Sequence, residues 1–473
     1  MISSGTVTCG DRLPPTRELA GQLGVNRTTV SAAYALLEEN GQIDGQVGRG
    51  SFIAGDRRPA TAGGRDWDAV LPPLEVPALT ASRPIEVSFA SSRPAHEQFP
   101  LPEFRRLAKE VIDSPEAPDI LQLGSSLGYP RFRKFLLEQG VSAGIARATD
   151  DLIVTNGCQQ ALDLLARIFF VPGGGMTEGN AVAIEDPVYH GLLRVFARTG
   201  AEIVGISLDE GGMIPEALEQ VLVRHRPRLL VVTPSFQNPT GTTLPLERRQ
   251  RIIALAARYG CVLVENDIYS ELRYAGKPLP TLKQLDTSGN TILLRSFSKV
   301  AFPGLRVGWI IAPRPVIARL AEAKEISDLH SDQLSQAVLL RFAQSSDSRR
   351  YLERVCTAGE ERLQAALESC ARYLPEGAKF TRPEGGMSLW IELPAPLTSA
   401  AVLEESEFRG VTFLPGKHFS MRRAHARALR ISFGGLRPAE ITRGIRIIAE
   451  AAQQLLQASI HAAHHFEAAA ALV

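Results

Sequence analysis

The 473 residues exceed what one hydrophobic core accommodates, so a large domain accompanied by a smaller one is expected. Hydrophobic residues make up 44% of the chain and charged residues 22%, the balance of an ordinary soluble protein, and no apolar run reaches the roughly 18 residues of a membrane span. A formal net charge of +1 excludes a long-range pull toward nucleic acid or acidic surfaces, so any contact with DNA must be built locally.

The chain opens with MISSGTVTCGDRL, neither basic nor apolar enough for a secretory signal, which places the protein in the cytoplasm. Five scattered cysteines without CxxC spacing read as buried or incidental thiols. In LPPTRELAGQL, Pro14 and Pro15 sit where a helix starts, and Leu19 and Leu23 share one face. After Gly24-Val25, Asn26 is positioned to cap a second helix, RTTVSAAYALLEEN, with Val30, Tyr34 and Leu37 on one stripe and Asn40-Gly41 as its stop. QIDGQVGRGSFIAG then predicts a two-stranded hairpin turning near Gly48-Arg49-Gly50. Helix, turn, helix, hairpin is the order of a winged helix-turn-helix, here residues 1–55.

Residues 56–83 are rich in Pro, Ala, Gly and Thr without a period and read as a linker, packed in part through Trp67. From residue 84 the texture becomes α/β. DLIVTNG, AVAIEDP, AEIVGISL, RLLVVTPS, CVLVEND, NTILLRSFSK and VGWIIAP are strand-like runs separated by amphipathic stretches, as in a mostly parallel sheet covered by helices. From about Arg341, GMSLWIEL and RALRISFG fall among helical segments and suggest a smaller α+β lobe. The histidines of the alanine-rich tail have no carboxylate or cysteine cluster beside them and read as surface helix, not metal ligands.

Several strings between Val87 and Phe433 stand in the order seen in fold-type I enzymes that use pyridoxal phosphate, and residues 84–473 resemble an aminotransferase of that class. SFSK resembles the segment whose lysine, here Lys299, forms an imine with the cofactor aldehyde. The resemblance implies that Asp267, in NDIYSEL, pairs with the pyridine nitrogen as catalytic partner of Lys299, and that Tyr269 donates to the phenolic oxygen. Asn238, in PSFQNPTG, would touch the same oxygen, and Tyr189, in EDPVYHG, would stack on the ring. TNGCQQAL looks like a glycine loop opening a helix, so amides near Gly157, Cys158 and Gln159 would face the phosphate. Ser296, Ser298 and Arg306 would complete that cup, and Arg430, in LRISFG, would clamp an α-carboxylate. A homodimer is implied by the same likeness.

GDRLPPTRELAGQLGVNRTTVSAAYALLEENG followed by GQVGRGSFIAG resembles the GntR-type winged helix-turn-helix. Joined to an aminotransferase-like domain, it resembles the MocR subfamily of regulators. By that resemblance Arg12 and Arg17 contact phosphates, Arg27, Thr28 and Thr29 open the recognition helix, and Arg49 lies at the wing tip. Such heads begin with another helix ahead of the GDRLP string, so the expectation is a head truncated by its first helix. Residues 1–55 carry four arginines against five carboxylates, a net −1, so affinity must rest on a few placed arginines. The expected function is a regulator that binds pyridoxal phosphate, an operator and an amino acid or amine effector, with no membrane partner. The alternative is an aminotransferase moving an amino group from an amino acid to a 2-oxo acid.

Overall fold

The structure is a computed structural model and describes residues 10–39, 42–46, 50–54, 84–170, 179–422 and 424–470. The chain divides into two compact units, residues 1–80 and 81–473. The linker reading of 56–83 and the wing tip at Arg49 lie outside the described residues.

In the first unit, helix α1 (Thr16–Leu23) begins directly after Pro15 and ends at Gly24, whose φ of 65° is the left-handed conformation that glycine adopts without a Cβ penalty. Helix α2 (Arg27–Glu39) follows, and the backbone N–H of Thr28 donates to Asn26 Oδ1 at 3.2 Å. Strands β1 (Ile43–Gln46) and β2 (Gly50–Ile53) pair antiparallel, with Ile43 opposite Ile53. Ala20, Val30, Tyr34, Ile43 and Ile53 form the small core, flanked by Leu13, Leu19 and Leu37. Tyr34 donates its hydroxyl to Pro14 O at 2.8 Å, fastening α2 to the segment before α1. Leu23 departs from the expected face. It is 62% exposed, because Ala20, one position round the helix from Leu19, is what meets α2.

The second unit is built on an eight-stranded mixed sheet. Its strands are β4 (Asp150–Thr155), β5 (Ala181–Asp186), β6 (Glu202–Asp209), β7 (Gly212–Met213), β8 (Leu229–Val232), β9 (Val262–Asn266), β10 (Thr291–Ser296) and β11 (Gly308–Pro313). The spatial order is β4-β11-β10-β9-β8-β5-β6-β7. β11 runs antiparallel to both its neighbours and β7 to β6, while the other pairs are parallel. The central runs AVAIE and LLVV are buried along their whole length, as strands sealed on both faces must be. Helices Cys158–Phe169, His190–Ala197 and Arg314–Asp328 cover one face, and Pro215–His225 and Leu246–Arg258 cover the other. Parallel strands bring their C-terminal ends, among them Asp186, Val232, Asn266 and Ser296, to one rim, where ligands of α/β sheets bind.

The α+β lobe is present. An antiparallel sheet of Lys379–Phe380, Ser388–Glu392, Ala428–Ser432 and Leu414–Pro415 packs with helices Ser346–Tyr373 and Pro438–Ala470. The helix Gln333–Gln344 belongs instead to the large sheet's core, so the lobe starts with the next helix. The entry strand β3 (Val87–Ser88) pairs with Val411–Thr412, and Phe89 packs so tightly on Gly444 that a Cβ there would stand 2.5 Å from the ring. No helix among the described residues is long and apolar enough to cross a membrane. Likewise, they hold no cluster of metal-binding side chains, and Cys158, Cys261, Cys356 and Cys370 are free thiols.

Candidate functional site

At the strand rim the chain builds an anion cradle. Helix Cys158–Phe169 starts after Gly157, whose φ is +80° and whose absent side chain leaves room for Arg306: a Cβ on Gly157 would meet Arg306 Nη2 at 2.5 Å. Arg306 donates to Asn156 O and Ser298 Oγ, both at 3.3 Å. Ser296 Oγ lies 2.8 Å from Ser298 Oγ and accepts from the Ser298 backbone N–H at 3.0 Å. A helix N-terminus, two hydroxyls and a guanidinium at one point make a site for a phosphate-like dianion. Burial pushes the Cys158 thiol up to about 12, so it stays protonated at neutral pH, facing Arg295 O at 3.6 Å.

Beyond the cradle a cavity of about 320 Å³ opens, lined by Cys158, Gln159, Ser296, Ser298, Lys299 and Arg306 together with Tyr189, Asn238, Tyr269 and Arg430. That volume suits a small cofactor with a small ligand. Lys299 Nζ donates to Ser92 O and stands 5.7 Å from the centre of the Tyr269 ring. Asn238 donates to the Tyr269 hydroxyl at 3.4 Å and accepts from Arg430 Nη1 at 3.1 Å, so the three side chains form one chain of hydrogen bonds. Arg430 is 2% exposed; Nη2 donates to Ala90 O, and Nε is buried without a partner. Burial pushes its guanidinium down to about 10, leaving it charged at neutral pH. A cation buried with an unused donor has an arrangement completed by a ligand carboxylate. His190 beside it is pushed down to about 4 by burial and then by the Arg430 charge, so it is neutral.

Asp267 is a correction. Strand β9 alternates its faces: Val264 packs under the helix Cys158–Phe169, whereas Leu263 packs on the opposite side. Asn266 therefore enters the cavity, while Asp267 turns away to the other side of the sheet and does not line it. There Arg295 donates through Nε at 3.0 Å and Nη2 at 2.7 Å to Asp267 Oδ2. The pair borders a second cavity of about 410 Å³ with Glu271, Phe297 and Trp309. Reading Asp-x-Tyr as a string ignored the period of two that sends neighbours to opposite faces.

Sequence reasoning also missed the residues that hold the site. Ala90 and Ser92 supply the carbonyls that receive Arg430 and Lys299, and their plain SFASSRP context carries no signal. Asp328 accepts from Asn156 at 2.9 Å, from Gln160 at 2.5 Å and from the fully buried Lys324 at 2.6 Å, anchoring the glycine loop. Arg249, 1% exposed, donates to Leu244 O, Pro280 O, Pro234 O and Ser235 Oγ at 2.8–2.9 Å and closes the loop that presents Asn238. Arg249→Met would strand those acceptors, and an expected loss of roughly 2–4 kcal/mol in urea unfolding followed by circular dichroism would check it.

In the first unit, Arg27, Thr28 and Thr29 are exposed on the opening turn of α2, and Arg17 is exposed on α1. Arg12 bridges to Phe52, its Nε 3.1 Å from where a Gly50 Cβ would stand, so it lies along the hairpin.

The sequence profile of class I and II aminotransferases matches residues 84–448, and that of bacterial regulatory proteins of the gntR family matches residues 1–53. The chain is 35% identical over 377 residues to 2-aminoadipate transaminase of Thermus thermophilus, covering 79% of this chain and 92% of that protein. It is 28% identical over 459 residues to the probable rhizopine catabolism regulatory protein MocR of Rhizobium meliloti, covering 95% and 91%. Among solved structures it resembles the multiple substrate aminotransferase of Thermococcus profundus with a TM-score of 0.78 at 29% identity, over 83% of this chain and all of that one. The chain thus belongs to the class I and II aminotransferase family, with the fold of type I pyridoxal phosphate enzymes, and carries ahead of it a gntR-family helix-turn-helix domain, the pairing of its MocR-type regulator relatives.

Proposed function

We propose that this regulator holds pyridoxal phosphate on Lys299 and couples an amino acid or amine, bound beside it, to operator binding by the head. The observation that carries the reading is the convergence of Lys299, Tyr269, Asn238, Arg306 and Arg430 on one cavity in a chain with a gntR-type head. When bound, the cofactor supplies an aldehyde for amines and an electron-withdrawing ring. The amides at Gly157, Cys158 and Gln159, with Ser296, Ser298 and Arg306, hold its phosphate, and Tyr189 covers the ring. Tyr269 and Asn238 direct their polar atoms at the phenolic oxygen. Arg430 takes the carboxylate of the effector, and Lys299 is placed to carry a proton at the effector's Cα.

The head comprises residues 1–55, the linker 56–83 and the cofactor unit 84–473. Arg12, Arg17, Arg27, Thr28, Thr29 and Arg49 are its DNA contacts. The working form is a homodimer, supported by exposed Leu121, Leu123, Ile326 and Leu329, of which the first two flank Gln122, whose carbonyl is held by Gln333. An unequal affinity of the effector for the two arrangements of the dimer would drive the switch.

A second reading, a working aminotransferase, is favoured by the Lys299–Arg430 arrangement and by the enzymes among the relatives. Sustained turnover of roughly 1–10³ s⁻¹ would select it. The regulator reading is tested by equilibrium binding of the full chain to labelled DNA from upstream of its own gene at physiological salt. A preference of about 10³-fold or more over a scrambled fragment is expected; equal affinity for both would contradict it.

A further inference from the structure

The described lining of the 320 Å³ cavity includes lysine, arginines, tyrosines, a histidine and amides but no aspartate or glutamate. At the ends of strands β8 and β9 the polar side chains that line the cavity are Thr233 and Asn266, and Asn266 carries the amide. Asn266 is 6% exposed. Its Nδ2 donates to Thr233 Oγ1 at 3.4 Å, and its Oδ1 is buried with no partner. The nearest carboxylate in sequence, Asp267, is on the opposite face, with one oxygen occupied twice by Arg295.

Resting on the reading that this cavity holds pyridoxal phosphate, we infer that Asn266, not a carboxylate, is the partner of the ring nitrogen, and that this chain keeps the nitrogen unprotonated. An amide carries no charge to balance a pyridinium in a buried site. It does, however, satisfy a neutral nitrogen by donating an N–H. As placed, Nδ2 gives one hydrogen to the Thr233 hydroxyl; because that hydroxyl both donates and accepts, it holds the amide equally when turned over, with Oδ1 accepting from Thr233 and Nδ2 free for the ring. The charged groups facing the cavity are the cations Lys299, Arg306 and Arg430, and these oppose a further positive charge; His190 and Tyr189 are neutral neighbours.

The consequence is a site that captures an amino compound yet is a poor electron sink. Loss of the compound's Cα proton is slowed, and the compound stays bound instead of being converted. That is a property of a sensor, placed in the chain by one residue.

The test is the nitrogen-15 resonance of ring-labelled pyridoxal phosphate bound to the full chain, compared with Asn266→Asp. The wild-type signal is expected at the position of a neutral pyridine standard across pH 6–9, and the variant signal at that of a pyridinium standard. A wild-type signal at the pyridinium position overturns the inference whatever the variant does. If Asn266→Asp does not fold, the wild-type position alone decides. Failure of the wild-type chain to take up the cofactor at all would appear separately, as absence of any bound resonance, and would remove the parent reading and the inference with it.

Discussion

Lys299→Ala is expected to abolish the visible absorption of the lysine-bound cofactor while leaving the fold intact. Among the described residues lining the cavity Lys299 carries the one primary amine, the group that forms an imine with an aldehyde, and it shares the cavity with Cys158, Ser298 and Arg306 of the cradle. Its removal deletes one hydrogen bond, to Ser92 O, and the approach of the ammonium to the Tyr269 ring. The phosphate cradle of Gly157, Ser298 and Arg306 remains, so pyridoxal phosphate should still bind, weaker by about tenfold or more. Spectrophotometric titration of both proteins reads the two effects separately. Persistence of the band in the variant would show that another amine takes the aldehyde.

Arg430→Met is expected to erase the response to α-carboxylates while leaving thermal stability equal or raised. Arg430 is buried, its Nε has no partner, and burial pushes it down to about 10 from an ordinary value of 12.5. A base whose folded pKa is depressed binds its proton more weakly than in the unfolded chain. The charge therefore opposes folding throughout the range below about 10, and the opposition fades as pH rises through 10 toward the unfolded value. A residue that strains the unliganded fold and is relieved by a carboxylate has its purpose in binding. Differential scanning calorimetry of the two proteins and titration of the loaded proteins with L-amino acids and with the matching decarboxylated amines check this. Wild type should prefer acids by about 10²-fold or more, and the variant should lose the distinction. Marked destabilisation of Arg430→Met would mark the residue as structural.

Much of the site was legible because its members carry local strings. SFSK, NPTG, the glycine loop before Cys158 and the LRIS strand each stand where the sheet delivers them, and the folded chain gathers Lys299, Asn238, Arg306 and Arg430 from positions up to 192 residues apart in direct contact. What failed was the step from string to face. Asn266 and Asp267 are adjacent letters, and only the alternation anchored by Val264 on one core and Leu263 on the other separates them. That alternation is legible in CVLVEND, where the carboxylate of Asp267 is nonetheless the more conspicuous letter. Ala90 and Ser92 were beyond reach because they act through backbone carbonyls, which any residue supplies. In the first unit the Val30, Tyr34 and Leu37 stripe was readable at helical spacing, whereas Leu23 was misplaced because Ala20 fills the contact.

In the proposed function a ligand in the aminotransferase-like unit changes how the head binds DNA. The most direct measurement is the affinity of the pyridoxal phosphate-loaded full chain for its own upstream DNA, with and without saturating amounts of each common amino acid. A shift of about 5- to 150-fold is expected for at least one compound, absent in Lys299→Ala. Unchanged DNA affinity with every compound, including those shown by absorption to react at the cofactor, would contradict it.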